Sequence, residues 1–109
     1  MNINKVRRAP VTIQLDDGKE RVIKYTLNSF ALMEEQYGSV ELAIKAMEEG
    51  SIKAVRFMLW AGLVSSDEAL TEQYVGNHID ILDLEEIVGK MNSTMSSDLP
   101  DNDAAVPNG

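Results

Sequence analysis

The chain has 109 residues, of which 44% are hydrophobic and 26% charged, a composition that indicates one ordinary globular domain. It contains no cysteine, which excludes disulfides and thiolate chemistry and fits a reducing cytoplasm. The net charge is −8, with six bases and three acids in residues 1–26 and four bases and fifteen acids after them, so we expect no nucleic-acid partner, which would need a concentrated basic surface.

The first predicted elements are two strands joined by a tight turn. In "VTIQL" apolar residues alternate with polar ones, as in a half-buried strand, and "ERVIKYT" forms the return strand. Asp17-Gly18 is a favoured pair for a two-residue type I′ turn. That turn sets Ile13 against Val22 but leaves Val11 opposite Lys24, so the register stays open. A hairpin alone is marginal in water, and we expect it to pack on helices.

After the hairpin the apolar spacing becomes helical. The first predicted helix carries its apolar stripe on Phe30, Met33 and Tyr37. Asn28 or Ser29 is available as its N-cap, and Gly38 ends it. Ser39 then caps a second helix, whose apolar stripe consists of Val40, Ala43, Ile44 and Met47. Short Gly-Ser links of this kind predict closely packed neighbouring helices.

The third helix is capped by Ser51 and contains the apolar run "FMLWAGLV". A helix that is apolar nearly all round is normally buried, so we predict the central core helix here, with an exposed binding patch as the alternative. The predicted structural core residues are Ile52, Val55, Leu59, Trp60 and Leu63. Phe57 to Val64 would rise only about 12 Å as a helix, too short for a hydrocarbon core of about 30 Å, so no membrane span or membrane partner is expected.

Two more helices complete the predicted domain. Thr71 caps a short fourth helix in "EQYVGNHI", and Asp83 has capping-box spacing with Glu86 at the start of a fifth. We predict a single domain over residues 1–92, with residues 1–9 flexible and without the apolar stretch of a secretory signal. Residues 93–109 have few bulky apolar side chains and predict a disordered acidic tail. The predicted fold class is therefore α+β, an N-terminal β-hairpin packed on four to five short helices.

A search for catalytic or metal-binding patterns finds none, so we expect no enzyme and no cofactor. His78 is the only histidine, and "GNHID" lacks the spacing of metal ligands. The carboxylate pairs at 34–35, 48–49 and 85–86 are sequence neighbours, which lie roughly 100° apart around a helix and do not converge on a substrate. We interpret them as solvated surface.

The order of these elements is similar to that of a known family. The hairpin followed by "LNSFALMEEQYGS", then "VELAIKAM", then "LWAGL" with a polar stretch and "LT", resembles the small tail assembly chaperones of long-tailed bacteriophages and gene-transfer particles. The resemblance covers roughly residues 10–91 and consists of packing motifs. It implies a non-enzymatic protein that holds the tape measure protein while tail tube subunits polymerise, and here the form without a frameshifted extension.

Several further expectations follow from the resemblance. The partners would be the tape measure protein and, as a second partner, the tail tube protein. The location would be the host bacterial cytoplasm, with the protein absent from the mature virion. One alternative is a structural tail or connector component retained in the virion, and a weaker one is a regulatory adaptor unrelated to phage.

The uneven charge raises the question of self-association. The acidic middle of the chain is either a solvated helical surface or a partner for the basic hairpin end of another copy. The second interpretation predicts a homo-oligomer built by head-to-tail contacts.

The methionines suggest where a client protein could bind. Unbranched thioether side chains repack easily, which suits a surface that accepts many similar helical segments. We therefore name Met33, Met47 and Met91 as partner-binding candidates in a groove between helices one, two and five, with Tyr37 at its rim. The alternative is that these methionines only fill gaps in a small core.

Overall fold

The computed structural model describes residues 10–98, which form a two-stranded hairpin followed by five α-helices. The α+β prediction is confirmed. The elements are β1 (Val11–Gln14), β2 (Glu20–Ile23), α1 (Leu27–Tyr37), α2 (Val40–Glu48), α3 (Ile52–Leu63), α4 (Glu72–Asn77), a 3₁₀ turn (Ile81–Asp83) and α5 (Leu84–Asp98). The predicted flexible residues 1–9 lie outside the described residues.

The hairpin does not use the two-residue turn that the sequence predicted. Leu15 N–H donates to the Lys19 carbonyl at 3.3 Å, so the loop consists of the three residues 16–18, and Gly18 adopts a φ of 86°. A three-residue loop closed by a left-handed glycine is the next most common hairpin connection. The pairing becomes Val11↔Ile23 and Ile13↔Arg21, which turns Ile13 and Ile23 toward the helices.

Helix boundaries after the hairpin follow the predicted punctuation. The hydroxyls of Ser39, Ser51 and Thr71 each accept a hydrogen bond from the backbone N–H three residues later, at 3.0, 3.1 and 3.0 Å. Gly38 and Gly50 adopt φ values of 95° and 89°, the left-handed conformation that ends a helix. These bonds confirm the three predicted N-caps. Each cap could be predicted because it depends only on local sequence.

The predicted N-cap of α1 was wrong. Thr26, in an extended conformation at the exit of β2, caps the helix in place of Asn28 or Ser29. The Thr26 hydroxyl accepts from Ser29 N–H at 3.2 Å, and the Ser29 hydroxyl accepts from Thr26 N–H at 2.9 Å. The same buried Ser29 hydroxyl donates to the Ala61 carbonyl at 2.7 Å. Ser29 therefore joins the start of α1 to α3.

The start of α5 also differs from the prediction. Asp80, not Asp83, supplies the cap, because its carboxylate accepts from Leu82 N–H at 2.9 Å. The resulting 3₁₀ turn continues directly into α5. The carboxylates of Asp83, Glu85 and Glu86 then occupy the first residues of the helical stretch and remain exposed.

The chain remains helical beyond the predicted boundary at residue 92. The prediction of disorder was wrong for residues 93–98, which belong to α5. Met95 is 3% exposed in the core, and the Thr94 hydroxyl donates to the Lys90 carbonyl at 2.9 Å. The segment "NSTMSSD" is polar except for Met95, which lies one turn after Met91 and packs in the core. Residues 99–109 of the predicted tail lie outside the described residues.

Helix α3 forms the centre of the core and contacts β2 and the other four helices. Its buried residues, eight of twelve, are Ala54, Val55, Phe57, Met58, Leu59, Ala61, Gly62 and Leu63. Its C-terminal half is hydrogen-bonded to the hairpin exit, because Lys24 N–H donates to the Gly62 carbonyl at 2.8 Å and the Tyr25 hydroxyl donates to the Met58 carbonyl at 2.9 Å. The prediction that the apolar run forms the core helix is confirmed.

Candidate functional site

An open groove of about 690 Å³ lies between α3, α4, the 3₁₀ turn and the start of α5. This volume falls within the range of clefts that bind ligands, about 300–1,000 Å³. Its floor is aliphatic and continuous with the core. The floor residues, all buried, are Val55, Leu59, Val75 and Ile87.

Large apolar side chains stand exposed at the edges of the groove. Ile52 on α3 is 54% exposed, and Ile81 in the 3₁₀ turn is 59% exposed, and both line the groove. Leu82, the next residue, is 86% exposed but does not line the groove. Single exposed hydrophobic residues are common, but exposed aliphatics that border an apolar cleft are typical of an interaction site.

The two walls of the groove are joined by a contact between α3 and α4. Arg56 Nε lies 3.2 Å from Glu72 Oε2, and both side chains are partly exposed, so this ion pair contributes little to stability. A Cβ at Gly76 would lie 2.9 Å from Arg56 Cδ. The absence of a side chain at Gly76 lets the stem of Arg56 lie against α4.

The back of α4 is attached to the loop of the hairpin. The rings of Tyr74 and His78 stack with centroids 3.9 Å apart, and the Tyr74 hydroxyl donates to Asp17 Oδ2 at 2.8 Å. Asp16 N–H donates to the His78 carbonyl at 3.1 Å. These contacts hold one groove wall against the hairpin.

Asp17 belongs to a cluster around a buried arginine. Arg21 is 8% exposed, and its guanidinium contacts Asp17 Oδ2 at 3.0 Å and Asp67 Oδ2 at 3.3 Å. Hydrogen bonding from Arg21, with further bonds from Lys19 N–H and the Tyr74 hydroxyl, holds the pKa of Asp17 well below its ordinary value. The hydrogen bond to Asp17 raises the pKa of Tyr74. The cluster joins the hairpin, the α3–α4 loop and α4, and we assign it a positioning role.

The residues predicted to bind a partner do not lie in this groove. Met33, Met47 and Met91 are at most 2% exposed and belong to the core, as the gap-filling alternative expects. Because these side chains are buried, they present no surface to a partner in this conformation. Tyr37 is half-buried and packs edge-on against Phe57, with ring centroids 5.7 Å apart.

The predicted structural core residues divide into two groups. Val55, Leu59 and Leu63 are buried, and Trp60 is half-buried with its indole N–H donating to the Leu70 carbonyl at 2.9 Å. The assignment of Ile52 to the core was wrong. Ile52 is the first residue of α3, and its side chain is 54% exposed at the groove.

Sequence reasoning also missed the 3₁₀ turn as part of a site. Ile81 and Leu82 belong to no predicted helix stripe, yet they stand in "IDILDLEE", where aliphatic residues and carboxylates are mixed. Aliphatic side chains in a segment without helical or strand periodicity were the available signal. Their exposure is a tertiary property, because it depends on how α4 and α5 diverge.

No cluster of three or more His, Asp or Glu side chains suited to a metal ion occurs in residues 10–98. Over the same residues, every helix is too short or too polar to cross a bilayer. Comparison with protein-family models, with curated proteins and with solved structures finds no match to this chain. The groove and the sequence motifs are therefore the features that bear on function.

Proposed function

We propose that this protein is a non-enzymatic tail assembly chaperone of a long-tailed phage or gene-transfer particle, and that it binds the tape measure protein. The single observation that supports this proposal most is the groove, which has an aliphatic floor and exposed aliphatic residues at its edges. The motifs in residues 10–91 supply the family resemblance, and the groove supplies a place for a client.

A groove of this kind suits temporary binding of an apolar helix face. A client helix that buries Ile52 and Ile81 removes their aliphatic surface from water, which contributes roughly 25 cal/mol for each Å² buried. The floor is formed by helices that are anchored elsewhere. Binding then requires little rearrangement, and release leaves the chaperone folded.

The remaining partners are part of the same proposal. A chaperone acts in the host cytoplasm during tail tube growth, with the tail tube protein as a second partner, and it leaves before the particle matures. The charge difference between residues 1–26 and the acidic body supports association between copies of the chain. Sedimentation at low and high salt measures that association, which is expected to weaken as salt rises.

Co-expression with the tape measure protein tests the proposal. The full chain should keep the tape measure protein soluble, and Ile52→Asp/Ile81→Asp should lose this effect while remaining folded. Leu27→Asp/Leu42→Asp is the matched control, because Leu27 and Leu42 are exposed apolar residues on α1 and α2, outside the groove lining.

Mass spectrometry of purified particles separates the chaperone from a structural component. The proposal predicts that the chain is absent from mature particles. Its presence in stoichiometric amounts would support the alternative of a retained tail or connector component.

A further inference from the structure

We infer that the groove accepts an amphipathic α-helix whose apolar stripe is flanked by lysine or arginine on the side that meets residues 80–86. The inference rests on the proposed function for the identity of the natural client, but it specifies the chemistry of the bound segment independently. Three observations carry it: the secondary structure of the walls, the length of the floor and the charge of one edge.

The walls determine the secondary structure of the occupant. The groove is bordered by α3, α4, the 3₁₀ turn and α5, whose backbone groups are hydrogen-bonded within each element. An extended peptide would therefore find no sheet edge to pair with, and its own N–H and C=O groups would be left without partners over an apolar floor. A helix satisfies its backbone internally and presents only side chains.

The length of the floor sets the number of anchors. The groove lining follows α3 from Ile52 at the edge to Leu59 in the floor, seven residue steps that rise about 10 Å. Two turns of a partner helix cover this distance. Aliphatic anchors at positions i, i+4 and i+7 of that helix would contact the buried floor and the exposed Ile52 and Ile81.

The charge of one edge sets the flanking residues. Residues 72–86 contain five acids and no lysine or arginine. Glu72 and Arg56 both line the groove and are paired with each other. Asp80, Asp83 and Glu85 do not line it, but each is a chain neighbour of the lining residues Ile81 or Leu84. These three carboxylates are exposed and have no basic partner in residues 10–98. Glu86 Oε2 lies 4.0 Å from Lys90 Nζ, at the outer limit of an ion pair.

The helix dipole accounts for part of this placement, since acidic side chains are favourable in the first turn of α5. Exposed ion pairs are individually weak, so the carboxylates act mainly by selecting and orienting the partner. An acidic helix is disfavoured, and this includes a helix from a second copy, because residues 27–92 contain twelve acids and four bases.

Calorimetric titration of the full chain with three designed helical peptides tests the inference. The first peptide has a leucine stripe flanked by lysine, the second has the same stripe flanked by glutamate, and the third keeps the lysines but replaces the leucines with serine. We expect the first to bind, the second to bind about tenfold more weakly or worse, and the third to show no binding. Affinity for the first should fall as salt rises.

Two pairs of variants locate the interaction. Asp83→Asn/Glu85→Gln should weaken binding of the lysine peptide about threefold to tenfold, whereas the matched control Glu34→Gln/Glu35→Gln, on α1, should not. Ile52→Asp/Ile81→Asp should abolish binding, with Leu27→Asp/Leu42→Asp as its control. Circular dichroism checks that each variant remains folded.

Several results would overturn the inference. Equal binding of the lysine and glutamate peptides would show that the acidic residues do not select the partner. Unchanged peptide binding by Ile52→Asp/Ile81→Asp would show that the peptide binds outside the groove. Loss of self-association in the isoleucine variant, with no peptide binding by the wild type, would make a second copy the occupant. If a tape measure fragment binds the groove through an acidic or neutral segment, the proposed function stands and the inference fails. If lysine peptides bind the groove but no tape measure fragment does, the inference stands and the proposed function fails.

Discussion

The two halves of α3 have very different surroundings. In the C-terminal half, the carbonyls of Met58 and Ala61 accept side-chain hydrogen bonds from Tyr25 and Ser29, and the ring of Tyr25 packs against Gly62. In the N-terminal half, Ile52 is more than half exposed and the helix forms the floor of a groove. One helix therefore joins a closely packed region to an open one.

This difference indicates that one end of α3 stabilises the fold and the other end is available for binding. The closely packed half holds the hairpin and α1 in place, so substitutions there should change stability. At the start of the N-terminal half, Ile52 contributes little buried surface, so its substitution should change binding and leave the fold intact, whereas Ala54, Val55 and Phe57 in the same half are buried. Stability and binding should therefore respond to different substitutions.

Leu63→Ala should lower the free energy of unfolding by about 2–5 kcal/mol, because it removes a fully buried side chain and leaves a cavity. Urea denaturation measures the change. Leu42→Ala is the control, since Leu42 is 52% exposed on α2 and should cost far less. Equal effects of the two substitutions would remove the contrast between buried and open positions.

Gly62→Ala should destabilise by about 1–3 kcal/mol through overpacking. An added Cβ would lie 2.9 Å from Tyr25 Cζ and 3.0 Å from Ile23 Cγ2, and both neighbours are themselves buried. Thermal unfolding followed by circular dichroism measures the shift. In Gly89→Ala the new Cβ meets no atom within 4 Å, so this second helical glycine should be neutral or up to about 1 kcal/mol more stable.

Tyr25→Phe should cost about 0.5–1.5 kcal/mol, since the Tyr25 hydroxyl donates to the Met58 carbonyl in the buried interface between hairpin and helix. Chemical denaturation at neutral pH gives the value. Peptide affinity at the groove should stay unchanged in this variant. A large loss of binding would mean that the two halves of α3 are coupled.

The Arg21 cluster makes the attachment of α4 dependent on pH. Because Asp17 has a lowered pKa in the folded state, the unfolded chain takes up its proton first as pH falls below the ordinary value of 3.8. The contribution of Asp17 to stability is therefore present above that pH and is lost progressively below it. Melting temperatures between pH 7 and pH 2 should fall less steeply in Asp17→Asn than in the wild type. Asp16→Asn, at the exposed neighbouring residue, should follow the wild-type slope.

Ile52→Asp/Ile81→Asp should change the free energy of unfolding by about 0.5 kcal/mol or less per site, the ordinary range for exposed positions. Denaturation curves that overlay those of the wild type are the expected result. A loss comparable to that of Leu63→Ala would show that the exposed residues Ile52 and Ile81 also stabilise the fold.

Local signals in the sequence were enough for much of the fold. Ser39, Ser51 and Thr71 cap helices through bonds to residues three positions away, so their roles can be predicted without tertiary information. The buried half of α3 followed from its apolar composition. The hairpin turn was less accessible, because Asp17-Gly18 suits both a two-residue and a three-residue loop.

The candidate site could not be predicted in the same way. Met33 looked available for binding because its flexibility suits a client surface, but only the packed structure shows that it is buried. Ile52 has the spacing of a core residue, and its exposure at the groove is a tertiary property that spacing does not show. Met95 lies in a polar segment whose composition predicts disorder. Its side chain is nevertheless buried, and α5 continues through it to Asp98.

The most direct test of the central claim is a methyl-resonance titration of the full chain with fragments of the tape measure protein. We predict that the methyl signals of Ile52, Ile79 and Ile81 shift and saturate together, while those of Leu27 and Leu42 remain unmoved. Shifts confined to Leu27 and Leu42, or no shift at the groove with a fragment that binds, would contradict this prediction.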